Sequence, residues 1–93
     1  MDIHGSVQLV HAGGLHARPA VALTKLAKTF QAKILIAASA EGPWIDAKSV
    51  VKVMGMKTPA YSTLFFHALG DDAQSAIDAM TRLVEEDFSG APG

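Results

Sequence analysis

The chain contains no cysteine. Disulfides and thiolate metal centres are thereby excluded, and a reducing cytoplasm is the expected location. Charge of one sign is lacking as well. Eight Lys and Arg stand against nine Asp and Glu, a formal net charge of -1, so the basic footprint that nucleic acid or an anionic membrane requires is missing. No apolar run approaches bilayer length, and the start, Met1-Asp2-Ile3-His4, is acidic with no apolar segment behind it. Neither membrane insertion nor a secretory signal is expected. With 93 residues the chain can close one modest core, which leaves no room for a bulky enzyme pocket. What is abundant is apolar: 49% of the residues are hydrophobic, the composition of a folded globule rather than a disordered segment.

The apolar residues recur with readable periods. Ser6, Val7, Gln8 and Leu9 alternate as a strand does. Leu23, Leu26, Ala27 and Phe30 fall at i, i+3, i+4 and i+7, predicting an amphipathic helix over residues 17 to 30 with Lys25 and Lys28 on or near its wet side. Ile34 to Ala38 is a short apolar run with a β-branched bias. Glu41-Gly42-Pro43 then makes a turn into a short strand around Trp44 and Ile45, and the two strands should form a hairpin. Ser49 to Met54 predicts a short helix ending near Gly55, and Thr63 to Ala68 a further strand. Asp71 and Gln74 have capping-box spacing, opening a last helix whose Ala73, Ala76, Ile77, Met80 and Val84 share one face. There is no repeat and no internal linker. Strands and helices without strict crossovers argue for α+β architecture, with helices over one face of a mainly antiparallel sheet.

The chemistry concentrates at Gly14-Leu15-His16-Ala17-Arg18-Pro19-Ala20. Pro19 has no amide hydrogen and is tolerated only in a first helical turn, so His16 should lie at or just before that turn, with Gly13 and Gly14 allowing a sharp bend into it. The amides of Ala17 and Arg18 then point outward without helical partners. An anion on the His16 ring would meet those amides, the positive end of the helix dipole and the Arg18 guanidinium. Glycine and proline around a helix start are also ordinary punctuation, and a lone histidine is most often a surface residue. Here a titratable nucleophile, a fixed cation and two backbone donors converge on one spot.

Those seven residues resemble, at every position, the active-site pattern of HPr, the histidine-containing phosphocarrier family of the bacterial phosphoenolpyruvate-dependent sugar phosphotransferase system. Far along the chain, Lys48-Ser49-Val50-Val51-Lys52-Val53-Met54 resembles that family's serine-site segment. The resemblance implies an open-faced β-sandwich in the order βαββαβα, a four-stranded mainly antiparallel sheet covered on one face by three helices. It implies one domain over residues 1–88, with 89–93 a flexible tail or the start of a linker. A free-standing carrier and a domain from a fructose-type multidomain phosphotransferase protein both fit such an ending.

By the same resemblance, His16 takes a phosphoryl group on Nδ1 from phospho-enzyme I and passes it to an EIIA domain of a sugar permease. The chain would act as a monomeric carrier rather than an enzyme, and no cofactor is implied. Imidazole suits the task, since its ordinary pKa of roughly 6.5 supplies a neutral nucleophile near neutrality and a competent leaving group once protonated. Arg18 and the amides of Ala17 and Arg18 would stabilise the phosphoryl oxygens during a loose, in-line transfer. The match is not complete. Ala12 and Gly13 stand where many relatives have Pro and then Asn or Ser, Lys52 and Lys57 replace commonly small residues, and Tyr61 stands where glycine is frequent.

Ser49 reads first as an N-cap for the short helix. The resemblance adds phosphorylation by HPr kinase/phosphorylase, which would place charge in the docking surface without melting the helix. Val50, Val51 and Met54 would form an apolar docking patch, with Arg18, Lys25, Lys28 and Lys52 as a basic margin facing acidic partners. The plainer reading is that Val and Met at helical spacing are core and lysines are solvated. No metal set is expected, because His11 and His16 are five apart rather than four and no HExxH pattern accompanies them. His4 and His67 read as structural or surface residues. Two rival functions stand beside the carrier. One is an HPr-fold regulatory or interaction domain, serine-phosphorylated or of a nitrogen-type system; the other is a small enzyme using His16 as acid or base, for which no second catalytic residue is visible.

Overall fold

The computed structural model describes residues 1–10, 15, 17–56 and 58–89. Its elements are β1 (Asp2–Gln8), α1 (Ala17–Ala27), β2 (Lys33–Ala37), β3 (Ile45–Asp46), α2 (Val50–Gly55), β4 (Thr63–Leu69) and α3 (Ala73–Glu85). The expected order βαββαβα is the observed one. All four strands join one sheet in the order β1-β4-β2-β3, with each neighbouring pair antiparallel, so β2 and β3 do form the anticipated hairpin.

Period-two alternation decides which side of the sheet is dry. Leu64, Phe66 and Ala68 on β4 and Ile34 and Ile36 on β2 are fully buried. They meet Ala20, Leu23 and Ala27 from α1 and Ala73, Ala76, Ile77, Met80 and Val84 from α3 in one continuous core. The two apolar helical stripes read from the sequence are thus the stripes that cover the sheet. Lys25 and Lys28 lie on the wet side as expected. The architecture is an open-faced α+β sandwich.

A close approach explains Gly5. A Cβ built there would sit 2.7 Å from Ile77 Cγ2, so only glycine lets α3 settle against β1. At its other end α3 finishes in a Schellman arrangement. Asp87 takes a φ of 51, its amide donates to Val84 O at 3.0 Å, and the Phe88 amide donates to Leu83 O at 2.8 Å. Partly buried Phe88 folds back onto the core.

Several boundaries differ from expectation, each for a physical reason. The first strand begins at Asp2 rather than Ser6, because pairing with β4 from Asp2↔Leu69 to Gln8↔Thr63 overrides the poor strand propensity of Gly5 and its polar neighbours. The first helix ends at Ala27 rather than residue 30. There the Thr29 hydroxyl donates to Leu26 O at 2.7 Å and the Phe30 amide to Ala27 O at 3.2 Å, closing a tight turn instead. The capping box is absent. Asp72, not Asp71, is the N-cap and makes no side-chain cap bond, while the Gln74 amide group donates forward to Asp78 Oδ1 at 2.9 Å.

Asp72 is occupied elsewhere. Its carboxylate accepts the Gln31 amide at 2.9 Å and the Ala32 amide at 2.8 Å, tying the start of α3 to the approach to β2. The Gln31 bond, outweighing the cost of desolvation and assisted by Ala32, the group's own amide and the Lys48 charge, holds the Asp72 carboxyl below its ordinary 3.8. Stability from this group is therefore complete above its unfolded-state value and is lost as pH falls through the lower folded one. Asp72→Asn should lower the urea midpoint at about pH 7 and narrow its fall between about pH 7 and about pH 3; an unchanged pH dependence in urea titrations would count against the clamp.

Candidate functional site: the mouth of the first helix

The approach to α1 is anchored by Leu15, 7% exposed and part of the core. Ala17 and Arg18 then open the helix exposed, and Pro19 is buried in its first turn, the position that its locked φ and missing donor allow. As the first two residues of α1, Ala17 and Arg18 carry their amides at the positive end of the helix, where first-turn donors lack intrahelical partners. The site thus presents a guanidinium and two amides beside one another in solvent. His16 and residues His11 to Gly14 lie outside the described residues, as does Lys57.

The second segment reaches this region through α2, which packs on α1. Ser49 is its N-cap with φ -105 and ψ 107, its hydroxyl oxygen accepting the Lys52 amide at 3.3 Å. The structural role read from its place before Val50 is present. One helix face is inward, where Val53 is fully buried, and one outward, where Val51 is 77% and Met54 50% exposed. Val50 is half-buried and Lys52 exposed. For Val51 and Met54 the plain core reading fails: this is a greasy surface on a short helix, adjoining the helix that carries Arg18.

The basic margin divides in two. Lys25 occupies the last turn of α1, seven residues from Arg18 and so roughly 10 Å along the axis, with Lys28 just beyond. Lys48 has a structural task. Its Nζ donates to Phe30 O at 2.7 Å, and its amide donates to Asp46 Oδ1 at 2.9 Å. That clamp spans distant segments and left no local signal.

Tyr61 is the remaining departure with a visible consequence. It holds a φ of 61, a left-handed backbone that glycine adopts without cost and a tyrosine does not. Its carbonyl accepts Gln8 Nε2 at 3.1 Å, and the next residue's carbonyl accepts the Leu9 amide at 2.8 Å. The turn before β4 is thereby fastened to the end of β1.

An exposed helix mouth and an adjoining apolar patch on an open-faced sandwich define a small protein that works at its surface. Residues 3–86 match the family described as PTS HPr component phosphorylation site. The phosphocarrier protein HPr of Cupriavidus necator is 35% identical over 80 residues, covering 86% of this chain and 88% of that protein. A multiphosphoryl transfer protein of Vibrio cholerae is 34% identical over 74 residues, covering 78% of this chain and 18% of that protein. A crystal structure of HPr-C-His from Thermoanaerobacter tengcongensis superposes with a TM-score of 0.84 at 27% identity, covering 98% of this chain and 99% of that one. The chain belongs to the HPr phosphocarrier family of the phosphotransferase system. Among the described residues no helix is long and apolar enough to cross a membrane.

Proposed function

We propose that the chain carries phosphoryl groups on His16, taking them from phospho-enzyme I and giving them to EIIA domains of sugar permeases in the cytoplasm. The observation that carries this reading is the solvent-facing start of α1, where Arg18 and the amides of Ala17 and Arg18 directly follow His16 in the chain. In each transfer a new P–N bond forms at the acceptor imidazole as the donor's P–N bond breaks. The donor ring leaves neutral, having been protonated on its other nitrogen, and the acceptor ring gains the corresponding charge. Arg18 and the amides take up negative charge on the phosphoryl oxygens while that exchange is in progress. Val51 and Met54, with half-buried Val50 and exposed Lys52, supply the docking surface beside it. Lys25 and Lys28 extend a basic margin toward acidic partners.

The Ser49 hydroxyl caps α2, and phosphate there would keep favourable interactions with the helix start while adding charge to the docking surface. Regulation through Ser49 by HPr kinase/phosphorylase is the second reading, supported by the exposed Val51 two residues further on. The likeness to a much longer multiphosphoryl transfer protein supports the chain's fold serving equally as one domain of a fusion. The deciding experiment incubates the protein with phosphoenolpyruvate and enzyme I and follows phosphorus NMR. An acid-labile phosphohistidine that disappears on adding an EIIA domain is expected. A chain that stays bare in the presence of charged enzyme I would overturn the proposal.

A further inference from the structure

The sheet face without helices carries an unusual group of side chains. Period-two geometry puts Asp2, His4 and Ser6 of β1 on it beside Phe65 and His67 of β4. The register sets His4 directly opposite His67, and their rings stack with centroids 4.0 Å apart and planes 17° from parallel. Both rings turn Nε2 to the same place. His67 Nε2 donates to Asp2 Oδ1, and His4 Nε2 lies 3.3 Å from that oxygen. All three donor atoms fall within 4.8 Å of one another.

Two imidazole nitrogens and one carboxylate are the donor set of metal sites that keep a coordination position open. Metal–nitrogen and metal–oxygen bonds of about 2.0–2.2 Å at tetrahedral angles leave donor atoms roughly 3.4 Å apart; His4 and Asp2 stand 3.3 Å apart, while His67, in direct contact with Asp2, would draw back as an ion enters between them. The strands hold the three residues side by side, so binding asks only that His67 Nε2 give up its proton and that the stacked rings turn until both in-plane lone pairs meet the ion. His67 is the sheltered member, its side chain 21% exposed against 64% for His4 and 58% for Asp2. Beside the triad runs a groove of about 460 Å³ bordered by Ser6, Ala40, Trp44 and Phe65, room for water or a small ligand at the open position. The five-residue spacing of His11 and His16 gives no metal set. The relevant pattern is Asp2-x-His4 on a strand, completed by a residue that only the β1–β4 register brings near.

We propose that Asp2, His4 and His67 bind one divalent transition-metal ion, Zn2+ or Cu2+, on the open face of the sheet. The site is independent of phosphoryl transfer at His16.

Trp44, the only tryptophan, stands edge-on to His67 at 6.1 Å and is a built-in reporter. Titrating the untagged protein with CuCl2 should quench its fluorescence saturably, and calorimetry with ZnCl2 should give one ion per chain. Altering a residue that merely supports a metal ligand typically costs 10–100-fold in affinity, so His4→Gln, which removes a ligand, should weaken binding at least about tenfold. Asp2→Asn should do the same. Both positions are exposed, and circular dichroism will show that the fold persists. His16→Ala and His11→Ala should bind as the parent does. Absence of saturable binding would overturn the proposal, as would an affinity unchanged in His4→Gln and Asp2→Asn, or binding lost instead in the His11 or His16 variants.

Discussion

His16→Ala should carry no phosphohistidine of its own after mixing with phosphoenolpyruvate and enzyme I, whereas Arg18→Ala should still be labelled, about 10–100-fold more slowly. The difference follows from role. Removing the imidazole removes the only proposed atom to which phosphorus bonds. Removing the guanidinium takes away charge-assisted hydrogen bonds worth about 1.5–3 kcal/mol, and each 1.4 kcal/mol or so is a factor of ten in rate. The amides of Ala17 and Arg18 remain, because substitution at the side chain leaves the backbone donors of the first turn in place. Arg18 is exposed, and surface changes of this kind usually alter stability by less than about 0.5 kcal/mol. Rapid-quench transfer rates with thermal melts on the same samples check both halves. Equal rates for the parent and Arg18→Ala would remove the arginine from the mechanism, and labelling of His16→Ala would move the acceptor elsewhere.

Phe66→Ala should destabilise the domain by about 3–5 kcal/mol, the usual cost of emptying a buried aromatic position. Phe66 is 0% exposed and sits on an inner strand, paired with Gly5 on one side and Ile36 on the other. The absence of a side chain at Gly5 is already used by Ile77, so the helix above cannot readily sink into the vacated volume. Against a typical domain stability of about 5–15 kcal/mol, that loss leaves a fold near its limit. Thermal midpoints should fall by roughly 4–8 °C for every kcal/mol lost. Val51→Ala, at a position 77% exposed, is the companion measurement and should move the midpoint little. A small shift for Phe66→Ala would mean that the core can collapse around the gap.

The contrast between these positions also explains what was readable in the chain. Helical stripes such as Leu23 with Ala27, or Ala76 with Met80, reveal themselves because their partners are one turn away, and the proline at position 19 marks a helix start by covalent constraint alone. Ser49 was legible as a cap for the same local reason. Long-range partners leave no such trace. Asp72 serves residues 31 and 32 instead of its own helix, Lys48 reaches back to Phe30, and Asp2 meets His67 only because β1 pairs with β4. The start of β1 was missed because Gly5 and the polar residues around it form a strand on account of their neighbour, not their own preference. At the helix mouth, the start of α1 and the place of Pro19 in its first turn were legible from sequence, while the acceptor role of His16 rests on its motif.

The strand order has a temporal side. The centre of the sheet is β4, residues 63–69, which fastens β1 on one edge and β2 on the other. Nothing made earlier in translation can stand in for it, so a nascent chain stopped short of Leu69 holds a first strand and a β2–β3 hairpin with no bridge between them. Contacts of such long sequence separation close slowly. Folding of this domain should therefore wait on the ribosome, arriving late and all at once when β4 and the α3 that covers it have both emerged.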